Sequence, residues 1–146
     1  PQKYGATYKA TQVQADKRKN TFTANIATAY PAEAEVESWI RSYSLQKGQL
    51  RISDSFRLTT AKQPNQINFM TWGQVNTEIP GKIQLEVKGK KAVIEYDKQL
   101  FDVKTETIPL TDPRLSNVWG KSIYRITLTA TNIYKTGNYS FTIKKQ

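Results

Sequence analysis

The sequence predicts an all-β protein, an antiparallel β-sandwich of about ten strands. Short segments alternate apolar with polar residues, which is the pattern of strands buried on one face. The chain carries eight Tyr, five Phe and three Trp, and aromatic residues favour strands. Turn signals such as Pro64-Asn65 and Pro80-Gly81 recur at close intervals. With 146 residues and no repeat or linker, we expect a single β-sandwich domain over residues 1–146.

The first strand is predicted at residues 21–26, where Phe22, Ala24 and Ile26 alternate with polar residues. The next segment, Ala32–Glu37, has a composition that a short helix also tolerates. We predict a loop that leads into a strand, because Pro31 precedes it and the surroundings are rich in strand formers. The sequence does not specify the strand order.

A β-hairpin is predicted over residues 39–56, with Lys47-Gly48 as its two-residue turn. In this register the inward positions pair apolar with apolar: Trp39 with Phe56, Tyr43 with Ile52, and Leu45 with Leu50. Between them, Arg41 faces Asp54 on the same apolar side. The two are candidates for a sugar-binding or acid/base pair, or for a structural ion pair. We predict the structural ion pair, because an ion among apolar neighbours is tolerated when it is paired and hydrogen-bonded.

A second hairpin is predicted over residues 83–96, with Gly89-Lys90 as a type II′ turn. This register pairs Val87 with Ala92, Leu85 with Ile94, and Ile83 with Tyr96. Further strands are predicted at residues 100–107, 122–130 and 138–144. The segment Thr111–Asn117 is predicted to be a loop between two of them.

Composition excludes several kinds of chemistry. The chain has no Cys and no His, which removes Cys and His metal sites, Ser-His and Cys-His nucleophile pairs and imidazole bases. We therefore expect no metal and no cofactor. The net charge of +10 indicates polyanionic partners, or simply solubility. No nucleic-acid motif is present, and no apolar run reaches the length of a membrane span, so we expect neither nucleic acid nor membrane as a partner.

Three segments together resemble a known family. They are Asn25 to Arg41, containing Ala-Tyr-Pro and then Trp-Ile-Arg; Leu50 to Leu58, containing Asp54; and Asp112 to Ile126, containing Trp-Gly and then Arg-Ile. In this order they resemble the C-terminal β-sandwich region of the heparinase II/III-like polysaccharide lyases, over about residues 4 to 130.

The resemblance implies a parent enzyme in which an N-terminal helical toroid joins antiparallel β-sandwiches. Such enzymes cleave uronic-acid-containing glycans, among them glycosaminoglycans, by β-elimination. No catalytic role can be assigned to a residue of this chain, which lacks the toroid and has no His. We expect the C-terminal part of a longer lyase, since the chain begins at Pro1 without Met, and we expect it to be inactive alone. The implied partners are the toroid and an acidic polysaccharide, and the implied location is periplasmic or secreted.

Four residues are candidates for substrate binding. Trp72 and Trp119 offer rings for sugar stacking, Arg114 lies in the segment before Trp119, and Tyr30 lies in a loop of the kind that binds ligands. For each of the three aromatic residues we favour packing over binding: in a rigid turn for Tyr30, and in the core or at a domain interface for Trp72 and Trp119. The function alternatives are therefore a free-standing carbohydrate-binding module for acidic glycans and a purely structural domain.

Overall fold

The computed structural model describes residues 5–146, and it confirms the all-β sandwich. Within that range the chain forms 11 strands in two antiparallel sheets, one of eight strands and one of three, together with one α-helix. The elements are β1 (Thr11–Asp16), β2 (Thr21–Asn25), β3 (Val36–Gln46), β4 (Gln49–Leu58), β5 (Gln66–Thr71), β6 (Gln74–Asn76), β7 (Lys82–Val87), β8 (Lys90–Glu95), β9 (Phe101–Pro109), α1 (Pro113–Trp119), β10 (Ser122–Ala130) and β11 (Thr136–Lys145).

These elements divide between two compact units. Unit 1 contains the described residues up to Gln63 together with Ile133–Ile143, and unit 2 contains Pro64–Asn132 with Lys144–Gln146. The single domain over residues 1–146 stays a prediction.

In unit 1 the strands follow the order β1-β2-β3-β4-β11. The predicted register of the first hairpin is confirmed, because Trp39 pairs with Phe56 and Leu45 with Leu50. Lys47 and Gly48 both have positive φ, at 51° and 72°, as a type I′ turn requires. Leu45, which was predicted to face inward, is exposed near the end of β3. The core of this unit contains the following buried side chains: Ala24, Trp39, Ile52, Phe56, Tyr139 and Phe141.

The connection from β2 to β3 is more ordered than the predicted loop. It consists of two short 3₁₀ turns, Ala27–Ala29 and Ala32–Ala34. The Oδ1 atom of Asn25 accepts hydrogen bonds from the backbone N–H groups of Ala27 at 3.1 Å and Trp39 at 3.3 Å. The Asn25 side chain therefore links the start of this connection to β3, the strand at its other end.

Unit 2 contains the three-stranded sheet β5-β10-β9 and the strands β8-β7-β6. The strand predicted at residues 122–130 is confirmed as β10, and it buries Ile126 and Leu128 completely. Ile83 of β7 and Ile94 of β8 are also buried. In β7 and β10 the alternation of apolar with polar residues explains why these segments form strands covered on one face, whereas β8 buries the consecutive residues Val93 and Ile94.

The predicted register of the second hairpin is wrong. Val87 pairs with Lys90, Leu85 with Ala92, and Ile83 with Ile94. The turn is Lys88-Gly89, with φ of 50° and 73°, and not Gly89-Lys90. The physical reason is that Gly takes the second position of a type I′ turn here, as it does at Gly48, whereas the prediction placed it first in a type II′ turn.

Candidate functional site

The predicted ion pair of unit 1 lies on the inward face of β3 and β4. Arg41 donates from Nε to Oδ1 of Asp54 at 2.7 Å and from Nη2 to Oδ2 at 2.8 Å. The indole Nε1–H of Trp39 donates to the same Oδ1 at 2.9 Å. The carboxylate is only 2% exposed, so three donors replace the water that it loses on folding.

The electrostatics of this pair favour a permanent charge. Burial lowers the pKa of Arg41, but the hydrogen bonds and the charge of Asp54 outweigh it and raise that pKa above its ordinary value. A guanidinium that stays protonated is no proton donor at neutral pH. The neighbours are equally structural, since Trp39 stacks on Phe56 with ring centroids 5.0 Å apart. The geometry is that of an internal anchor of the hairpin.

A different arrangement surrounds the two tryptophans of unit 2. Trp72 follows β5, and Trp119 is the last residue of α1. Their rings meet edge to face, with centroids 6.2 Å apart and planes at 81°. Beside them lies a pocket of about 280 Å³, whose lining also includes Met70, Leu115 and Ile123. Trp119 is 47% exposed, so part of its ring is available to a ligand.

Trp119 is positioned by a helix that the sequence analysis missed. The segment Thr111–Asn117 was predicted to be a loop, but Pro113–Trp119 is α-helical. The side chain of Asp112 caps the helix by accepting from the backbone N–H of Arg114 at 2.9 Å, and Pro113 occupies the first turn. An N-cap Asp followed by Pro is a helix-start signal that the sequence does contain.

Arg114 is held by its own helix cap. Its Nη2 lies 2.7 Å from Oδ2 of Asp112, and its Nε lies 3.2 Å from both oxygens. Hydrogen bonds from Arg114 lower the pKa of Asp112, and the same carboxylate raises the pKa of Arg114. The Arg114 side chain is 88% exposed, but an anionic ligand would have to compete with Asp112 for it.

Lys88 belongs to this region and was not named as a site residue from the sequence. Its Nζ lies 5.1 Å from the centroid of the Trp72 ring. Such a cation–π contact contributes about 0.5–1 kcal/mol at an exposed position. The sequence predicted a turn here, but at Gly89-Lys90, and the proximity of Lys88 to Trp72 depends on how β6 pairs with β7.

Tyr30 lies in unit 1, whereas Trp72, Arg114 and Trp119 all lie in unit 2. It follows the 3₁₀ turn Ala27–Ala29, and its backbone N–H donates to the carbonyl of Ala27. The residue is 39% exposed. Its role in binding stays a prediction.

The glutamates near Tyr30 do not converge on a metal. Glu35 accepts hydrogen bonds from Thr60 and Lys62, which lower its pKa. In residues 5–146 no three His, Cys, Asp or Glu side chains come together as metal ligands would. None of the helices in that range is long and apolar enough to cross a membrane.

Comparisons with known proteins give a fold but no family. No family model matches the chain, and neither does any curated protein. Two solved structures are similar: heparan sulfate lyase HepC from Pedobacter heparinus, and a mutant of the same lyase. Their TM-scores are 0.65 and 0.66, with identities of 11% and 12%, respectively.

Each comparison covers 94% of this chain and 22% of the lyase chain. The chain therefore spans about a fifth of the length of the structures it matches. At this level of identity the likeness concerns the fold alone, and the chain has a fold that also occurs within a heparan sulfate lyase.

Proposed function

We propose that the chain is a non-catalytic β-sandwich module of a polysaccharide lyase similar to heparinases II and III, and that it belongs to a longer protein. In this proposal it packs on the helical toroid of its parent and forms part of the groove for an acidic glycan. The parent cleaves uronic-acid-containing chains by β-elimination in the periplasm or outside the cell.

The observation that carries the proposal is the fold likeness to heparan sulfate lyase HepC over 94% of this chain. The net charge of +10 supports it, because a basic domain raises the local concentration of a polyanion. The paired rings of Trp72 and Trp119 supply a surface on which the apolar face of a pyranose can stack. The pocket beside them is near the lower end of the usual range for ligand sites, roughly 300–1,000 Å³, so it suits a single sugar ring.

A free-standing carbohydrate-binding module is the second candidate. It is favoured by one feature of the site: every residue that lines the Trp72–Trp119 pocket belongs to unit 2. A site of this kind needs no residue from a partner domain.

Binding is tested by calorimetric titration of the chain with heparan sulfate oligosaccharides and with a neutral glucan. We expect Trp119→Ala to weaken binding of the acidic glycan by about fivefold to tenfold, or roughly 1 kcal/mol. Phe22→Ala is the matched control, since Phe22 is a 41% exposed aromatic of unit 1. Equal losses in the two variants, or none, would remove the glycan site and leave the structural role.

Activity is tested by the ultraviolet absorbance of unsaturated uronate, with the isolated chain and with the parent protein. We expect product from the parent alone. Product formed by the isolated chain would contradict the non-catalytic role. If the parent forms no product either, the assignment to a lyase fails, and glycan binding by the isolated chain would then identify the free-standing module.

A further inference from the structure

A second groove also has Trp72 in its lining. It has a volume of about 340 Å³, and its lining includes Trp72, Gln74, Glu86 and Lys88. The first pocket is lined by apolar and aromatic side chains apart from Thr71, whereas this groove carries an amide, a carboxylate and an ammonium group. Trp72 therefore contributes to the lining of both an apolar pocket and a polar groove.

The position of Trp72 is fixed by the glycine that follows it. A Cβ atom on Gly73 would lie 2.2 Å from the carbonyl oxygen of Glu86 and 2.4 Å from Cγ2 of Val87. The backbone at Gly73 thus packs directly against the end of β7. This close approach sets the indole beside the Lys88-Gly89 turn without relying on flexible side chains.

The charge of the groove is positive at its rim. Lys88 is exposed, and its ammonium lies over the Trp72 ring. Glu86 is the opposing charge, but it is engaged by Lys91, whose Nζ lies 3.7 Å from its Oε2. An anionic group entering the groove would meet Lys88 while the carboxylate of Glu86 is partly neutralised.

We infer that this second groove is the anion-selective half of the glycan site, with Lys88 as its specificity-determining residue. One sugar ring stacks in the apolar pocket at Trp72 and Trp119, and the carboxylate or sulfate of the adjoining sugar binds Lys88. Lys88 then leaves the face of the Trp72 ring to pair with the ligand. The inference rests on the proposed function, since it refines the same site.

The chain offers a matched control for this test. Lys47 is also an exposed Lys that precedes Gly in a hairpin turn, with φ of 51° against 50° for Lys88. Lys88→Gln and Lys47→Gln therefore remove the same charge from the same backbone conformation. The probes are a sulfated glucosamine–uronate tetrasaccharide and its desulfated, carboxyl-reduced counterpart.

We expect Lys88→Gln to weaken binding of the anionic tetrasaccharide by roughly fivefold to tenfold while leaving the neutral one within about twofold. Lys47→Gln should change both by less than about twofold, because Lys47 lines neither cavity at Trp72 and its charge acts on the probe only through screened attraction. Glu86→Gln should strengthen binding of the anionic probe. The anionic probe should also alter tryptophan fluorescence in the unsubstituted chain, and this change should be smaller in Trp72→Phe, where Trp119 remains.

Equal effects of Lys88→Gln and Lys47→Gln would overturn the inference, because the charge would then act generally and not through this groove. In that case a loss of binding in Trp119→Ala would still support the proposed function. Unchanged binding in both Trp119→Ala and Lys88→Gln would overturn the glycan site and the inference together.

Discussion

The hairpins β3–β4 and β7–β8 turn on the same Lys-Gly dipeptide, yet they place charge in opposite surroundings. Both turns have positive φ at both positions: 51° and 72° at Lys47-Gly48, and 50° and 73° at Lys88-Gly89. The first hairpin encloses the carboxylate of Asp54. The second leaves Lys88 in solvent against an indole. The turn fixes the register, and the flanking strands decide what the charges do.

The difference lies in how completely each charge is satisfied. Both oxygens of Asp54 accept from Arg41, and one also accepts from Trp39, so the group is bound within the protein. Lys88 meets the face of Trp72, which is a weak and replaceable partner. A fully satisfied buried ion maintains a fold, whereas a loosely held surface ion is free to exchange its partner for a ligand.

The largest effect should come from Asp54→Ala, which leaves Arg41 part-buried without its anion. We expect a loss of about 3–5 kcal/mol in the free energy of unfolding. Urea denaturation at neutral pH, followed by tryptophan fluorescence, measures it.

A double-mutant cycle with Arg41→Met gives the control for Asp54→Ala. The double variant should be less destabilised than the sum of the single variants, because no unpaired ion remains. It should still be less stable than the unsubstituted chain, since the indole N–H of Trp39 also loses its acceptor. Strict additivity of the two substitutions would contradict the structural role of the pair.

The next effect tests the close packing of Gly73 against the end of β7. Gly73→Ala should cost about 1–3 kcal/mol, because the added Cβ meets the backbone of β7, which cannot move away as a side chain does. Gly137→Ala is the control, since its Cβ would lie 3.0 Å from the ring of Phe56. Denaturation curves for both variants measure the difference. A larger loss of stability at Gly137 would show that the contact of Gly73 with β7 tolerates an added Cβ better than the contact of Gly137 with Phe56 does.

The two hairpins also show what the sequence can specify. At β3–β4 the register followed from the side chains, since only one pairing sets Trp39, Tyr43 and Leu45 opposite apolar partners. At β7–β8 several registers keep the apolar face intact, because a shift by two residues leaves every side chain on the same face. The turn chemistry alone then decides, and there the position of Gly89 was misjudged.

The candidate site divides in the same manner. Trp72 and Trp119 were named as candidates from residue type, and their role in binding stays a prediction. The helix α1 was missed although Asp112 and Pro113 signal a helix start. The contact of Lys88 with Trp72 has no local signal. It arises where Gly73 approaches β7, a long-range contact that single-sequence patterns do not encode.

A smaller effect tests whether the two turns are equivalent. Gly48→Ala and Gly89→Ala should each cost about 1–2 kcal/mol, because a Cβ is strained at positive φ. A Cβ at either position would meet nothing within 4 Å, so strain is the whole effect. Urea denaturation of both variants should give values within about 0.5 kcal/mol of each other. A clearly larger loss of stability in one variant would show that the Lys47-Gly48 and Lys88-Gly89 turns are not equivalent.

The smallest effect separates exposed charges from the buried pair by their response to pH. Hydrogen bonds from Thr60 and Lys62 lower the pKa of Glu35, so its stabilising contribution is present above its ordinary value of 4.5 and is lost as the pH falls through the lowered value. The pKa of Arg41 is raised, so its contribution is present below the ordinary pKa of an arginine and is lost only at still higher pH. We therefore compare the free energy of unfolding of the unsubstituted chain with that of Glu35→Gln, at neutral pH and well below pH 4.5. The difference between the two proteins should be smaller at the lower pH. A difference that stays constant over this range would mean that Glu35 contributes through packing and not through its charge. The contributions of Glu35 and Arg41 would then not differ in their response to acid.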